Sequence, residues 1–159
     1  MKIIPNFLNN FTFKKMQDLA FSGRIPLYYN ANVGTHKDIT DFMFTHHFIG
    51  DYGKSDYAQQ FITPLLDKLG KECFRAKLNC FTKKCEFIHT AFHTDADFPH
   101  TVALFSLNTC NGYTYFEHNK QKVKSIENQM IIFDGKLRHC SVSQTDTNLR
   151  LNININLRD

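Results

Sequence analysis

His93 and Asp95 stand two residues apart in the triplet His93-Thr94-Asp95. In an extended chain successive side chains alternate between faces, so the imidazole and the carboxylate share a face while Thr94 points away. One nitrogen and one oxygen donor on one side are part of a metal site. His139 lies in a later stretch of strand character, where a rolled sheet can return it beside the first pair. Two imidazoles and one carboxylate on one side of an ion leave its other positions open, an arrangement that suits non-haem iron(II). The triplet by itself is weak, because His-x-Asp occurs by chance and a lone histidine is usually a surface or hydrogen-bonded residue.

Arg150 strengthens the reading. Ten residues, 140 to 149, separate it from His139, enough for a turn and the start of a strand. In LRLNININL the odd positions Leu149, Leu151, Ile153, Ile155 and Leu157 form an apolar face, leaving Arg150, Asn152, Asn154 and Asn156 on the other. A solvated strand face would more often carry Thr, Lys or Glu than Asn, which is a poor strand former. A row of amides suits a polar barrel interior, where a guanidinium can hold a carboxylate by two parallel hydrogen bonds.

These residues need a scaffold, and the chain divides in texture. Phe13, Met16, Leu19 and Ala20 fall at helical spacing after Thr12, an expected N-cap, with Gly23 as the stop. A second helix is expected through Phe61, Ile62, Leu65, Leu66 and Leu69 to Gly70, with Ser55 or Asp56 near its start and Pro64 kinking it or marking its first turn. Between them, Tyr28 to Lys54 shows no sustained period and reads as a long loop that carries His46 and His47 across the mouth of the site. Eight strands are expected near 76–82, 86–93, 101–107, 113–117, 121–126, 129–133, 138–142 and 148–157. Short strands without long helices among them point to a mostly β jelly roll, a double-stranded β-helix of cupin-like type. The N-terminal helices, in a buttress over about 1–75, would cover an outer face of the core at about 76–157. With 159 residues the chain is expected to form a single domain.

Composition excludes several classes. Aromatic residues at 14%, with 16 Phe, are too many for a disordered chain. A net charge of +4, spread evenly over the halves, gives no electrostatic footprint for nucleic acid. Five cysteines, an odd number without a Cys-x-x-Cys pair, indicate reduced thiols and a cytoplasmic location, not a disulfide framework or a zinc ribbon. No apolar run reaches the ~20 residues that cross a membrane, and Pro5 and two Asn interrupt the start before any signal-peptide length is reached.

The ordered motifs resemble a known family. His93-Thr94-Asp95, then Leu107-Asn108, Asn111-Gly112-Tyr113-Thr114-Tyr115-Phe116, Phe133-Asp134-Gly135 ahead of His139, and finally RLNININ are similar to the prolyl 4-hydroxylase-like branch of the 2-oxoglutarate- and iron(II)-dependent oxygenases. The likeness covers roughly residues 76 to 157, and the opening IIPNFLNN resembles the start of that family's domain. It implies iron(II) on His93, Asp95 and His139, 2-oxoglutarate as cosubstrate with its distal carboxylate on Arg150, and lesser polar help from Ser106 and Thr114. It also implies O2 as oxidant, ascorbate as a possible accessory, and a prolyl or similar residue of a peptide or protein as substrate. Two positions depart: Asn111 replaces the first Gly of the family's pair, and Phe81 stands where many relatives place a Tyr that bonds the cosubstrate. A carboxylate at Asp95 argues against a halogenase, which leaves that ligand position to halide.

Two other functions compete. Arg150-Leu151-Asn152 partly matches the RxNxTxR signature of the AlkB nucleic-acid dealkylases, but Asn154 and Asn156 replace its Thr and final Arg. A non-enzymatic cupin-like binding module would differ by losing a ligand. The other histidines have plain readings: His89 on the face of His93 if the strand is regular, His100 and His118 in turns. Lys120, Lys122 and Lys124 read as a solvated edge, and Cys140 as a packed residue. The sequence leaves the substrate and the oligomeric state open.

Overall fold

The computed structural model describes residues 1–34 and 41–159. Eleven strands and three helices follow in chain order among the described residues. They are β1 (Lys2–Ile4), α1 (Asn10–Phe21), β2 (Tyr28–Asn30), β3 (Met43–Gly50), β4 (Gly53–Lys54), α2 (Ala58–Phe61), α3 (Thr63–Leu69), β5 (Cys73–Thr82), β6 (Thr101–Ser106), β7 (Tyr113–Phe116), β8 (Lys122–Lys124), β9 (Gln129–Asp134), β10 (His139–Val142) and β11 (Leu149–Leu157). The larger sheet runs β1-β9-β6-β11-β5-β3-β2, with β4 paired to β3, and the smaller runs β10-β7-β8. Every pairing is antiparallel. Two such sheets face to face make the expected double-stranded β-helix.

The alternation of β11 decides the layering. Its odd residues Leu151, Ile153, Ile155 and Leu157 join Phe13 and Met16 of α1 and Phe61, Ile62 and Leu65 of the α2–α3 segment in one buried cluster. The helices therefore cover the outer face of the larger sheet. Phe13 meets Phe105 of β6 edge-on, with ring centroids 6.1 Å apart. A smaller cluster of Val102, Leu104, Phe116, Val123, Ile131 and Phe133 fills the space between the sheets.

Several expectations change. The cap of α1 is Asn9, not Thr12: its side chain accepts a hydrogen bond from the Thr12 amide at 2.9 Å. The second helix is two, because Pro64 sits in the first turn of α3, and Gly70 closes α3 at φ 63°.

The stretch Tyr28 to Lys54 is not a loop throughout: β2, β3 and β4 extend the larger sheet, and residues 35–40 lie outside the described residues. The buttress of residues 1–75 is correspondingly part sheet, since β1 also pairs with β9. A polar residue in an apolar position hid β3. His46 faces the core, where its ring nitrogens lie 2.9 Å from Pro26 O and 2.9 Å from Ser55 Oγ.

The strand expected at 86–93 is absent. That segment follows β10 only through isolated bridges, His89 to Val142 and His93 to His139. Thr90 explains the interruption. Its amide still donates to Ser141 O at 3.0 Å, but its hydroxyl, in place of its carbonyl, accepts from the Ser141 amide at 3.1 Å. His89 packs against Tyr113 and Tyr115. β8 is the edge expected of the alternating lysines, with Lys122 and Lys124 exposed.

Candidate metal centre and its cavity

His93 and His139 face each other across a two-way backbone bridge, each amide donating to the other's carbonyl at 3.0 Å. That bridge joins the irregular segment to the first residue of β10 and sets the two rings 4.8 Å apart, centroid to centroid. Nδ1 of His93 lies 3.1 Å from Ala91 O, and Nδ1 of His139 lies 2.9 Å from Leu137 O. A carbonyl only accepts, so each neutral ring carries its proton on Nδ1 and turns the lone pair of Nε2 inward. Burial lowers the pKa of His93, with His139 adding to the effect, and this favours the neutral form that binds metal.

Asp95 completes the cluster. Asn154 Nδ2 and Asn156 Nδ2 both donate to its Oδ2, at 3.0 and 3.1 Å, while its Oδ1 lies 3.9 Å from His93 Nε2. Burial opposes ionisation of Asp95, but His139, Lys77, the Asn154 amide and Arg75 together hold its carboxyl well below the ordinary range. The amide row on β11 is thus buried, as the alternation indicated, and two of its members aim the carboxylate.

One donor atom from each of His93, Asp95 and His139 lies within 4.8 Å of the others. The inward atoms are all acceptors, which gives them nothing to share with one another and every reason to share a cation. Hydrogen-bonded imidazoles and carboxylates are what a divalent metal site requires around its ligands. The donor set fits a first-row divalent ion with open positions.

The cluster opens on a recess whose lining includes Lys77, Asn79, Thr114, Ser141, Arg150 and Asn152. Arg150, 3% exposed, donates from Nη1 to Ser141 Oγ at 2.9 Å and to Val142 O at 3.1 Å. Its Nε has no hydrogen-bond partner among the described residues, and neither does Oδ1 of Asn79. Burial pulls Arg150 down to about 10, still charged at neutral pH. Phe81 lies under the guanidinium, with Cζ 5.4 Å from its ring centroid. At the position where the sequence resemblance implies a tyrosine hydroxyl, this chain offers a cation–π contact.

Gly112, next to Asn111, admits the arginine: a Cβ there would stand 3.1 Å from Arg150 Cδ. Asn111 instead anchors the next turn, donating to Thr145 Oγ1 at 2.8 Å. Thr114 lines the recess, whereas Ser106 is buried opposite Asn152, outside the lining. Cys140 packs with Tyr113 and Val142.

Three contributors escaped sequence reasoning. Arg75 donates from Nη2 to the Asp95 carbonyl at 2.7 Å and from Nε to Asn156 Oδ1 at 2.8 Å. Lys77 shares its face of β5, and the period-two run Arg75, Lys77, Asn79, Phe81 was the available signal.

The third is Gly34, at φ 87°, whose added Cβ would lie 2.4 Å from His93 Nδ1. Gly34→Ala should displace the His93 ring and also strain the backbone. Metal affinity is expected to fall by about 10–100-fold, the usual cost of disturbing a ligand's support. Titration of zinc into the metal-free variant checks this, and wild-type affinity would disprove the contact.

No family model matches the chain, and no curated protein matches it. Solved structures do. A prolyl hydroxylase from Trichoplax adhaerens, in complex with a hypoxia inducible factor oxygen degradation domain peptide, aligns with TM-score 0.71 at 14% identity over 99% of this chain and 83% of its own. An oxidoreductase of the 2OG-Fe(II) oxygenase family from Burkholderia pseudomallei gives TM-score 0.71 at 14% identity, covering 99% and 84%. A Pseudomonas putida prolyl-4-hydroxylase gives 0.70 at 12%, covering 99% and 92%. Among the described residues no helix is long and apolar enough to cross a membrane. The architecture of this chain is therefore the double-stranded β-helix seen in prolyl hydroxylase-like 2-oxoglutarate, iron(II) oxygenase structures.

Proposed function

We propose that the protein is an iron(II)- and 2-oxoglutarate-dependent dioxygenase that hydroxylates a prolyl or similar residue in a peptide or protein. The observation that carries this reading is the buried, partly unpartnered guanidinium of Arg150 in the same recess as the His93, Asp95 and His139 cluster. A metal site alone suits many reactions, but a metal site facing a buried cation suits a ligand with a chelating end and an anionic end.

In this reading His93 and His139 present Nε2 and Asp95 presents Oδ1 to iron(II). Bound iron(II) supplies oxygen activation, coupling decarboxylation of 2-oxoglutarate to hydroxylation of the substrate. Asn154 and Asn156 keep the carboxylate turned to the ion. Arg150 takes the distal carboxylate, Thr114 adds polar support, and the walls around Phe81 and Leu104 keep bulk water from the recess. Ascorbate would serve as an accessory reductant.

The likeness in fold to prolyl hydroxylases supports the peptide substrate. Against the dealkylase alternative, Asn156 is fully buried and its amide is engaged by Asp95, where that signature has an arginine. Purified protein given iron(II), O2 and 2-oxoglutarate should release succinate above the level of a metal-free control. A substrate-like prolyl peptide should raise that rate, and absence of succinate in every condition would overturn the reading.

A further inference from the structure

Lys77 has no part in the scheme above. It lies on β5 between Arg75 and Asn79, faces the recess, and is opposite Asn154 on β11 and His47 on β3. The neighbouring cations are engaged. Arg75 pairs with Asp95 at 3.6 Å and Arg150 donates to Ser141. The Lys77 ammonium has no hydrogen bond and no acid oxygen within ion-pair distance among the described residues. Lys77 is half-buried, and an ammonium partly withdrawn from water without a partner is costly. Asp95 is near, but its Oδ2 already accepts from two amides, and a divalent ion on the triad would place a further positive charge beside Lys77. An anionic group lying between the ammonium and the ion removes both penalties.

We propose that Lys77 anchors a carboxylate of a bound ligand at the metal end of the recess. Along the β5–β11 pair, Lys77 opposite Asn154 stands four residues from Phe81 opposite Arg150, roughly 13 Å at strand rise. The two cations therefore serve different anionic groups. Arg75, two residues along on the same face of β5, adds a second positive charge beside Lys77. The carboxylate belongs either to the 2-oxo acid end of the cosubstrate or to an acidic side chain of the substrate, and the inference rests on the functional reading above.

Zinc-loaded wild-type, Lys77→Met, Lys77→Gln and Lys77→Arg proteins would be titrated with 2-oxoglutarate. With 2-oxoglutarate saturating, they would then be titrated with acetyl-Gly-Glu-Gly-amide and its Gln counterpart. If the cosubstrate is held, its dissociation constant rises at least tenfold in the Met and Gln variants and is largely restored in Arg. If a substrate acid is held, cosubstrate binding is unchanged, while the preference for the Glu over the Gln peptide disappears in Met and Gln and persists in Arg. Met and Gln variants equal to wild type in both arms overturn the inference. Failure of wild type to bind 2-oxoglutarate overturns the functional reading instead, and the peptide arm on zinc-loaded protein then decides Lys77 alone.

Discussion

Replacing Asp95 by Ala is expected to abolish turnover and to weaken metal binding by more than about a hundredfold. Disturbing groups that merely support a ligand costs roughly 10–100-fold, and Asp95 is proposed as the ligand itself and the only anionic one. The substitution also leaves the amides of Asn154 and Asn156 without their acceptor and Arg75 without its ion-pair partner. Arg75 is about a third exposed and keeps its bonds to Asn156 and the residue-95 carbonyl, so the stability cost stays below that of a fully buried pair. The amides left short of an acceptor should still lower the melting temperature of the metal-free protein. Asp95→Asn separates the two effects. It keeps the volume and an oxygen while removing the charge, and should stay folded yet bind metal poorly. Zinc titration with a thermal melt reads both quantities, and full activity in either variant would mean that the site lies elsewhere.

Arg150→Ala is expected to spare the metal and remove the cosubstrate. The guanidinium is held by Ser141 and Val142 through Nη1 alone, so its remaining donors are not all engaged by the protein. Losing a charge-assisted contact and leaving a desolvated carboxylate unpaired costs on the order of 2–5 kcal/mol. By the usual conversion the lower figure is already about thirtyfold in dissociation constant. Zinc affinity should hardly change, because Arg150 contributes no ligand atom. Arg150→Lys should recover part of the loss, keeping the charge without the planar fork. An unaltered 2-oxoglutarate titration in Arg150→Ala would remove the cosubstrate from the proposal while leaving the metal centre standing.

The two substitutions differ in how far the sequence prepared for them. His93 and Asp95 are two residues apart in one extended segment, and Arg150 alternates with leucine and isoleucine within one strand. Such local patterns state which side chains share a face, because the backbone itself sets a period of two. The same logic placed the apolar side of β11 against the helices. It failed where a side chain took over a backbone role, as Thr90 does in the ladder with Ser141, and where a buried histidine stood in an apolar position, as His46 does in β3.

What lies across from a face is another matter. That Asn154 and Asn156 reach Asp95, some sixty residues earlier, and that Arg75 and Lys77 close in from β5, follows from pairing of strands distant in sequence. No local period encodes those meetings. They arise because the apolar outer faces must be buried on the helices, and that burial fixes the register in which the polar inner faces confront one another.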